Sequence, residues 1–303
     1  MKNNKVALAT LAALGAQIIF GFSFMFTKIA LNFSSPITVI ANRYMIAFLG
    51  MGIVMIVTKT KLKVKSNIWK LIIMSVFQPV LYFLFECYGI QMTTSSFSSV
   101  MISMIPVVSM ICGIFFLKEI PSAIQYLFTI ISIAGVVIMA YTGKTEGTVT
   151  PVGILLLLGA VFSSVGYNIT SRKISAEFTV FERTFAMTII GLVCFSGLSI
   201  IENIDNPLNV INGFLSSSYT ISILYLGLVS SVVAFLFLNF ANTHLPVTKT
   251  TVFSNITTVV SVVAGALLLN ETFVPQTILS TVMIVTGVLG VQVFGMKKQT
   301  KNA

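Results

Sequence analysis

Residues 104–136 read MIPVVSMICGIFFLKEIPSAIQYLFTIISIAGV, and residues 256–288 read ITTVVSVVAGALLLNETFVPQTILSTVMIVTGV. At this separation of 152 residues ten positions are identical: Val107/Val259, Val108/Val260, Ser109/Ser261, Gly113/Gly265, Leu117/Leu269, Glu119/Glu271, Leu127/Leu279, Thr129/Thr281, Gly135/Gly287 and Val136/Val288. Apolar identities arise easily in a hydrophobic chain, so the glycine, serine, threonine and glutamate identities carry most of the weight. The pattern predicts an internal duplication.

The duplication extends towards the start of each half. At a separation of 145 residues the identities are Gly21/Gly166, Lys28/Lys173 and Ile29/Ile174, and Arg43 lies opposite Arg183 at a separation of 140. The separation changes only across predicted loops, as a duplicated unit allows. We therefore expect two repeats, residues 1–145 and 146–303.

The composition is that of a membrane protein. Of the 303 residues 56% are hydrophobic and 9% are charged, and the mean hydropathy is +1.00, whereas a soluble domain has about 25% charged residues. A membrane-spanning helix needs about 20 mainly apolar residues. Such segments are predicted at 6–27, 36–57, 68–90, 95–117, 122–141, 151–171, 178–201, 218–240, 246–269 and 273–295. The expected fold is all-α and integral to the membrane, with ten transmembrane helices.

Five helices per repeat is an odd number, so the second repeat must enter the membrane upside down relative to the first. Inverted repeats around a site near the midplane are a recurring transporter architecture, in which two related bundles rock and expose the site alternately. The symmetry therefore predicts a transporter that works by alternating access.

The basic residues indicate an orientation rather than a nucleic-acid partner. With both termini in the cytoplasm, 15 of the 18 Lys and Arg residues fall in inward loops or at inward helix ends, and Lys28, Arg43 and Lys144 are the exceptions. This bias is what the positive-inside rule predicts. The net charge of +10 is thus explained by topology and contact with the lipid bilayer, and no nucleic-acid binding is expected.

Several short strings resemble those of the drug/metabolite transporter superfamily, specifically its ten-helix EamA-type permeases. They are Gly21-Phe-Ser-Phe, Arg43, Tyr82-Phe-Leu-Phe-Glu86-Cys-Tyr-Gly89, Ile105-Pro106-Val107, Phe116-Leu-Lys-Glu119 and the corresponding string of the second half, Leu268-Leu-Asn-Glu271. The resemblance covers nearly the whole chain. It implies a multi-pass protein of the cytoplasmic membrane that exports amino acids, other small metabolites or toxic compounds.

Glu86 is the first candidate for solute binding, because it lies inside a predicted span, where a charge costs roughly 2.5–3.5 kcal/mol on insertion scales. Gln78, Tyr82 and Glu86 are spaced four apart, which places them on one face of a helix. Such a carboxyl group could also couple transport to protons. The alternative is that Glu86 only forms an ion pair with Arg43 or Lys28.

The other candidates are polar side chains within spans. Asn42 and Arg43 lie about two turns into the second helix, where the arginine could attract a carboxylate or simply hold the bundle together. Further candidates for solute hydrogen bonds are Ser103, Asn168, Asn239 and Asn255, for which interhelical hydrogen bonding is the alternative. Pro106 is expected to kink the fourth span and is a candidate gate. Glu119 and Glu271 are expected to stabilise helix N-termini.

Other functional classes have less support. The sequence contains one histidine, no His-Glu-x-x-His motif, no phosphate-binding Gly-x-x-x-x-Gly-Lys-Ser/Thr loop and no aspartate within a predicted span. An intramembrane enzyme or a non-transporting membrane sensor therefore remains an alternative without positive evidence. No metal site and no cofactor are expected, and the sequence does not indicate an oligomeric state.

Overall fold

The computed structural model describes residues 2–60, 67–117, 122–145, 149–245, 250, 253–269, 271 and 274–299. Every regular element in these ranges is helical. The helices are α1 (Lys2–Ala30), α2 (Pro36–Thr58), α3 (Trp69–Gln91), α4 (Ser95–Ile102), α5 (Ile105–Leu117), α6 (Ala123–Thr145), α7 (Pro151–Ile174), α8 (Val180–Glu202), α9 (Ser217–His244), α10 (Ser254–Leu268) and α11 (Pro275–Gln299). A short helical segment, Asn209–Asn212, lies between α8 and α9.

Eight spans of the described chain are long and apolar enough to cross a bilayer, and two shorter apolar helices follow them at Ser254–Leu268 and Pro275–Val291. Large hydrophobic side chains such as Leu49, Ile53 and Ile56 are exposed on the outside of the bundle. Polar side chains are buried within it. This distribution is that of a multi-pass membrane protein whose outer surface meets lipid.

Local sequence sets where several helices begin. The Ser35 hydroxyl accepts a hydrogen bond from the backbone N–H of Thr38 ahead of α2. Thr179 and Glu182 form a capping box at the start of α8, in which each side chain bonds the backbone N–H of the other residue. Such caps satisfy backbone donors that have no partner within the helix.

Corresponding helices of the two predicted repeats pack against each other. In the α2–α8 pair, Thr38 contacts Ser199 at one end through hydroxyl groups 3.2 Å apart, and Phe48 contacts Phe185 towards the other end. The α2 and α8 helices therefore run antiparallel.

The α6 and α11 helices pack mainly on each other, and they too run antiparallel. Gln125 donates a hydrogen bond to the Val291 carbonyl and Ser132 donates one to the Ile284 carbonyl, so the residue numbers rise along one helix as they fall along the other.

Two membrane helices contain wider, π-helical segments at matching positions. In α3 the segment is Val76–Leu81, and Gln78 within it has the non-helical angles φ −148° and ψ 114°. In α9 the segment is Tyr225–Ala234, which contains Ser230, 152 residues after Gln78. Such segments interrupt the regular backbone ladder and often occur at functional sites.

The fourth span is also interrupted. Helix α4 ends at Ile102, and α5 begins at Ile105 after the turn Ser103–Met104. Pro106 is the second residue of α5, where its missing N–H is not needed for the helix. The structure therefore contains a break in this span beside the proline.

Candidate solute-binding cavity

A cavity lies between the two halves of the bundle. Its empty volume is about 690 Å³, which includes space open to the outside. The polar lining residues are Gln17, Ser23, Arg43, Gln78, Tyr82, Glu86, Ser164, Asn168, Ser230, Thr250, Ser254 and Thr257, and the apolar ones are Phe20, Phe24, Phe83, Ile102, Ile105 and Leu238. Such a combination of polar and apolar side chains is typical of small-molecule sites.

The three polar residues predicted on α3 all line the cavity. Gln78 reaches it from the irregular turn, so the stripe is not carried by a regular helix as the spacing alone suggested. The Tyr82 hydroxyl donates a hydrogen bond of 2.8 Å to Glu86 Oε1. No described residue donates a hydrogen bond to the second carboxylate oxygen, Oε2. The carboxylate therefore keeps one acceptor oxygen for a solute.

Arg43 lines the same cavity and is held from the other half of the protein. Its Nε donates to Ser231 Oγ at 2.7 Å and its Nη2 donates to Ser230 Oγ at 3.0 Å. Its guanidinium carbon lies 4.0 Å from the ring centre of Phe83, a cation–π arrangement. Its Nη1 donates to no described residue.

Arg43 and Glu86 do not form an ion pair with each other among the described residues, although both line the cavity. Lys28, the other proposed partner of Glu86, instead donates to the backbone carbonyls of Ile90 and Thr93 at the end of α3. The alternative, an ion pair between Glu86 and Arg43 or Lys28, is not found among the described residues. Two opposite charges are present in one cavity, each held by other groups.

Other predicted site residues have different surroundings. Asn42 lies outside the cavity lining and donates to the Val210 carbonyl and the Tyr219 hydroxyl, at 2.9 and 2.8 Å. Ser103 donates to the Val100 carbonyl at 2.6 Å within its own turn. Asn255 is buried beside the lining residue Ser254, but is not itself a lining residue.

The other two asparagines predicted in the second half, Asn168 and Asn239, are also in different surroundings. Asn168 lines the cavity, and its Oδ1 accepts a 3.3 Å hydrogen bond from Asn242. Asn239 belongs to a buried network, in which its Oδ1 accepts from Tyr167 and Ser171 and its Nδ2 donates to Thr184. Pro106 is outside the lining, although Ile105 beside it contributes to the wall.

Glu271 stabilises a helix N-terminus, but not that of the helix that follows it. Its carboxylate accepts hydrogen bonds from the backbone N–H groups of Ser95 and Ser96, at 2.8 and 3.1 Å, at the start of α4. Gly265 leaves room for this contact, because a Cβ there would lie 2.4 Å from Ser96 Oγ and 2.7 Å from Glu271 Oε2. Glu119 lies outside the described residues.

Several lining residues were not predicted from the sequence. Ser23 donates to Ser230 at 2.8 Å, and Thr257 donates to the Gln17 side chain at 2.7 Å. Small hydroxyl residues are common in membrane helices, so their type alone does not mark a site. The repeat position of Ser230 alone carried a usable signal, since it follows Gln78 by 152 residues.

The cavity combines one cation, one anion and uncharged hydrogen-bonding groups with aromatic and aliphatic walls. In the described part of the chain no three His, Cys, Asp or Glu side chains cluster as a metal site would require. The arrangement is suited to reversible binding of a small solute that carries charge.

The chain was compared with known proteins. Residues 7–141 and 151–293 each match the EamA-like transporter family. An uncharacterized transporter of Bacillus subtilis (strain 168), YcxC, is 29% identical over 298 residues, which are 97% of this chain and 95% of the relative. An uncharacterized transporter of Archaeoglobus fulgidus is 23% identical over 270 residues, 88% of this chain and 92% of the relative. A crystal structure with 15% identity superposes with a TM-score of 0.67 over 94% of this chain and 98% of that chain, which shows the fold.

Proposed function

Because the chain belongs to the EamA-like transporter family, we propose that it is a secondary transporter that exports amino acids or other small metabolites. In this proposal ten transmembrane helices form two inverted five-helix repeats, residues 1–145 and 146–303, which expose the cavity alternately to the two sides of the membrane. Both termini lie in the cytoplasm, and the membrane is the cytoplasmic one, as the distribution of basic residues favours.

Antiparallel packing of corresponding helices supports the inversion. Two units related by a two-fold axis in the membrane plane place their equivalent helices in opposite directions, as α2 and α8 run. The α6–α11 contact is reciprocal in detail. A Cβ on Gly135 would meet Ile284 and Ser280, and a Cβ on Gly287 would meet Ser132 and Phe128. The second glycine follows the first by 152 residues, and Ile284 and Ser280 follow Ser132 and Phe128 by the same number.

The cavity lining has the same reciprocity, which supports a site between the repeats. Four lining pairs are separated by 152 residues: Gln78/Ser230, Glu86/Leu238, Ile102/Ser254 and Ile105/Thr257. A site that both repeats contact through equivalent positions can be covered by either one as they rock. Alternating access needs that property.

The charges in the cavity favour a zwitterionic or dipolar solute. Arg43 offers donors for a carboxylate and Glu86 offers an acceptor for an ammonium group, while Phe20, Phe24 and Leu238 provide apolar contact. Intramembrane ionisable groups commonly mark substrate or proton pathways. An amino acid meets all three requirements, and Glu86 is the candidate for proton coupling.

The observation that carries the proposal is the buried, unpaired combination of Arg43 and Glu86 in one cavity. The test is counterflow in proteoliposomes, with the purified protein and a panel of labelled amino acids, sugars and nucleotides. We expect saturable exchange of at least one amino acid, recovered chemically unchanged, with none in protein-free liposomes.

Two results would contradict this proposal. Folded, reconstituted protein that exchanges no solute of the panel would argue against the substrate class. A solute recovered in altered chemical form would favour the alternative of an intramembrane enzyme. Proton coupling is tested separately by imposing a pH gradient, and unchanged proton-dependent transport in Glu86→Gln would exclude that role for Glu86.

A further inference from the structure

The Arg43 guanidinium is restrained by three groups, Ser230, Ser231 and Phe83, which we name the arginine seat. Ser231 Oγ and Ser230 Oγ accept hydrogen bonds from two different nitrogens, and the Phe83 ring covers one face. Together these contacts fix both the position and the plane of the guanidinium. Arginine carries five N–H donors, so two are used by the serines and three remain on the outer part of the fork.

The two serines differ from other hydroxyl residues of the same helix. Ser222 and Thr220 donate to the carbonyls of Ser218 and Ser216, four residues earlier in the chain. No such bond from Ser230 or Ser231 is found among the described residues. Both lie in the π-helical segment of α9, where their oxygens accept hydrogen bonds from another helix.

The seat explains why Arg43 and Glu86 remain apart. Opposite charges in a low-dielectric cavity attract strongly, and an unrestrained arginine would close onto the carboxylate. The serine bonds hold the cation from one side, while Tyr82 holds Glu86 Oε1. A pair kept separate in this way remains available to the two charges of a solute.

We infer that Ser230 and Ser231 are positioning residues for anion recognition: they orient Arg43 so that its remaining N–H donors bind the carboxylate of the transported solute. Planar, bidentate contacts with carboxylates are what the guanidinium fork favours. The two serines of the seat come from the second predicted repeat, whereas Phe83 and the arginine come from the first, so the anion site is completed only when the two halves pack together. This inference rests on the proposed function.

The first experiment compares an amino acid with its amide, which has the same shape but lacks the negative charge. For the best-transported amino acid of the panel, KM is measured by counterflow for both compounds. In Ser231→Ala we expect KM of the acid to rise about tenfold, the effect of losing about 1.4 kcal/mol of charge-assisted bonding, with little change for the amide.

The matched control is Ser222→Ala, on the same helix and equally buried but without contact to Arg43. It should leave the ratio of the two KM values unchanged, and Ser231→Thr, which keeps the hydroxyl, should restore most of it. An equal loss for acid and amide in Ser231→Ala would show a merely structural role and overturn the inference.

The second experiment does not depend on a substrate. Phenylglyoxal modifies arginine, and the chain has three arginines, Arg43, Arg172 and Arg183, so peptide mass spectrometry can follow each one. Ser231→Ala should speed modification of Arg43 several-fold and leave the other two unchanged. If no panel solute is transported but Arg43 responds in this way, the proposed function fails while the seat stands. An unchanged Arg43 rate would reject the seat.

Discussion

Arg43 and Arg183 each lie in the second helix of their predicted repeat, and both are buried, with 2% and 0% of their surface exposed. Arg43 lines the cavity and binds two hydroxyl groups. Arg183 instead makes four hydrogen bonds through its two terminal nitrogens, to the carbonyl and hydroxyl of Ser171, the carbonyl of Asn239 and the hydroxyl of Thr243. Among the described residues Arg43 keeps three N–H donors beside the cavity, whereas Arg183 joins three helices and leaves only its buried Nε without a partner.

The serines that accept from Arg43 have different counterparts in the first repeat. Ser231, which accepts from Arg43, corresponds at 152 residues to Pro79, whose side chain has no hydrogen-bond acceptor. Glu86 corresponds in the same way to Leu238, so the acidic partner is also present on one side only. A few side chains that differ between the two repeats thus make the cavity chemically one-sided.

The largest expected effect is on transport in Arg43→Gln. Glutamine lacks the charge and the fork, so we expect transport of a carboxylate-bearing solute to fall about a hundredfold, which equals about 2.7 kcal/mol. The measurement is initial counterflow rate per folded molecule. The melting temperature in detergent should change little, since Arg43 contributes only two hydrogen bonds to the fold. Full activity in this variant would show that Arg43 does not bind the solute.

The second effect is on stability in Arg183→Gln. This change leaves two buried backbone carbonyls and two hydroxyls without their charged donor, so we expect the unfolding free energy to fall by about 2–4 kcal/mol. A lower thermal midpoint in detergent is the readout, and transport by the molecules that remain folded should persist. A variant that melts normally but does not transport would show that Arg183 takes part in transport, and its role would then not differ from that proposed for Arg43.

The third prediction concerns the symmetric part of the frame. A Cβ on Gly135 would lie 2.9 Å from the Ser280 carbonyl oxygen, and one on Gly287 would lie 2.6 Å from the Phe128 carbonyl oxygen. Gly135→Ala and Gly287→Ala should therefore each destabilise the protein by about 1–3 kcal/mol through overpacking, and by similar amounts.

The control for these glycines is Gly197→Ala, because a Cβ there meets nothing within 4 Å. In a helix this change should be neutral or stabilising by up to about 1 kcal/mol. A large loss of stability in Gly135→Ala with none in Gly287→Ala would show that the two glycines do not contribute equally to the α6–α11 contact.

Much of the frame was predictable from the sequence, because long apolar segments and repeated glycines and glutamates are rare enough to be informative. Arg43 and Glu86 were found for the same reason, since charges inside spans are expensive. Asn42 and Ser103 show the limit of this reasoning. Their residue types suggested solute contacts, but their side chains bind the Val210 and Val100 carbonyls.

The remaining lining could not be predicted because it depends on helix packing. The turn at Gln78 interrupts the regular helix of α3, and a periodic pattern cannot reveal such a break. Ser230 and Thr257 are ordinary residues for a membrane helix, and their roles appear only when α9 and α10 are placed beside α1 and α2. The side-chain chemistry is asymmetric, so copying the first repeat onto the second predicts a polar residue at Ser230, opposite Gln78, but not the hydrogen bonds that Ser230 makes.

The smallest expected effect concerns a basic residue at the end of the first helix of each predicted repeat. Lys28 at the end of α1 donates to the Ile90 carbonyl, and Arg172 at the end of α7 donates to the Asn242 carbonyl; these two acceptors are 152 residues apart. A cation at a helix C-terminus contributes typically about 0.3–1 kcal/mol, so Lys28→Met and Arg172→Met should each lower the thermal midpoint slightly and by similar amounts. Methionine keeps an apolar stem, which limits the change to the charge and its hydrogen bonds. Loss of transport in Lys28→Met alone, without a shift in melting, would mean that this end of α3 acts in gating, and the asymmetry seen at the two arginines would then extend beyond the cavity.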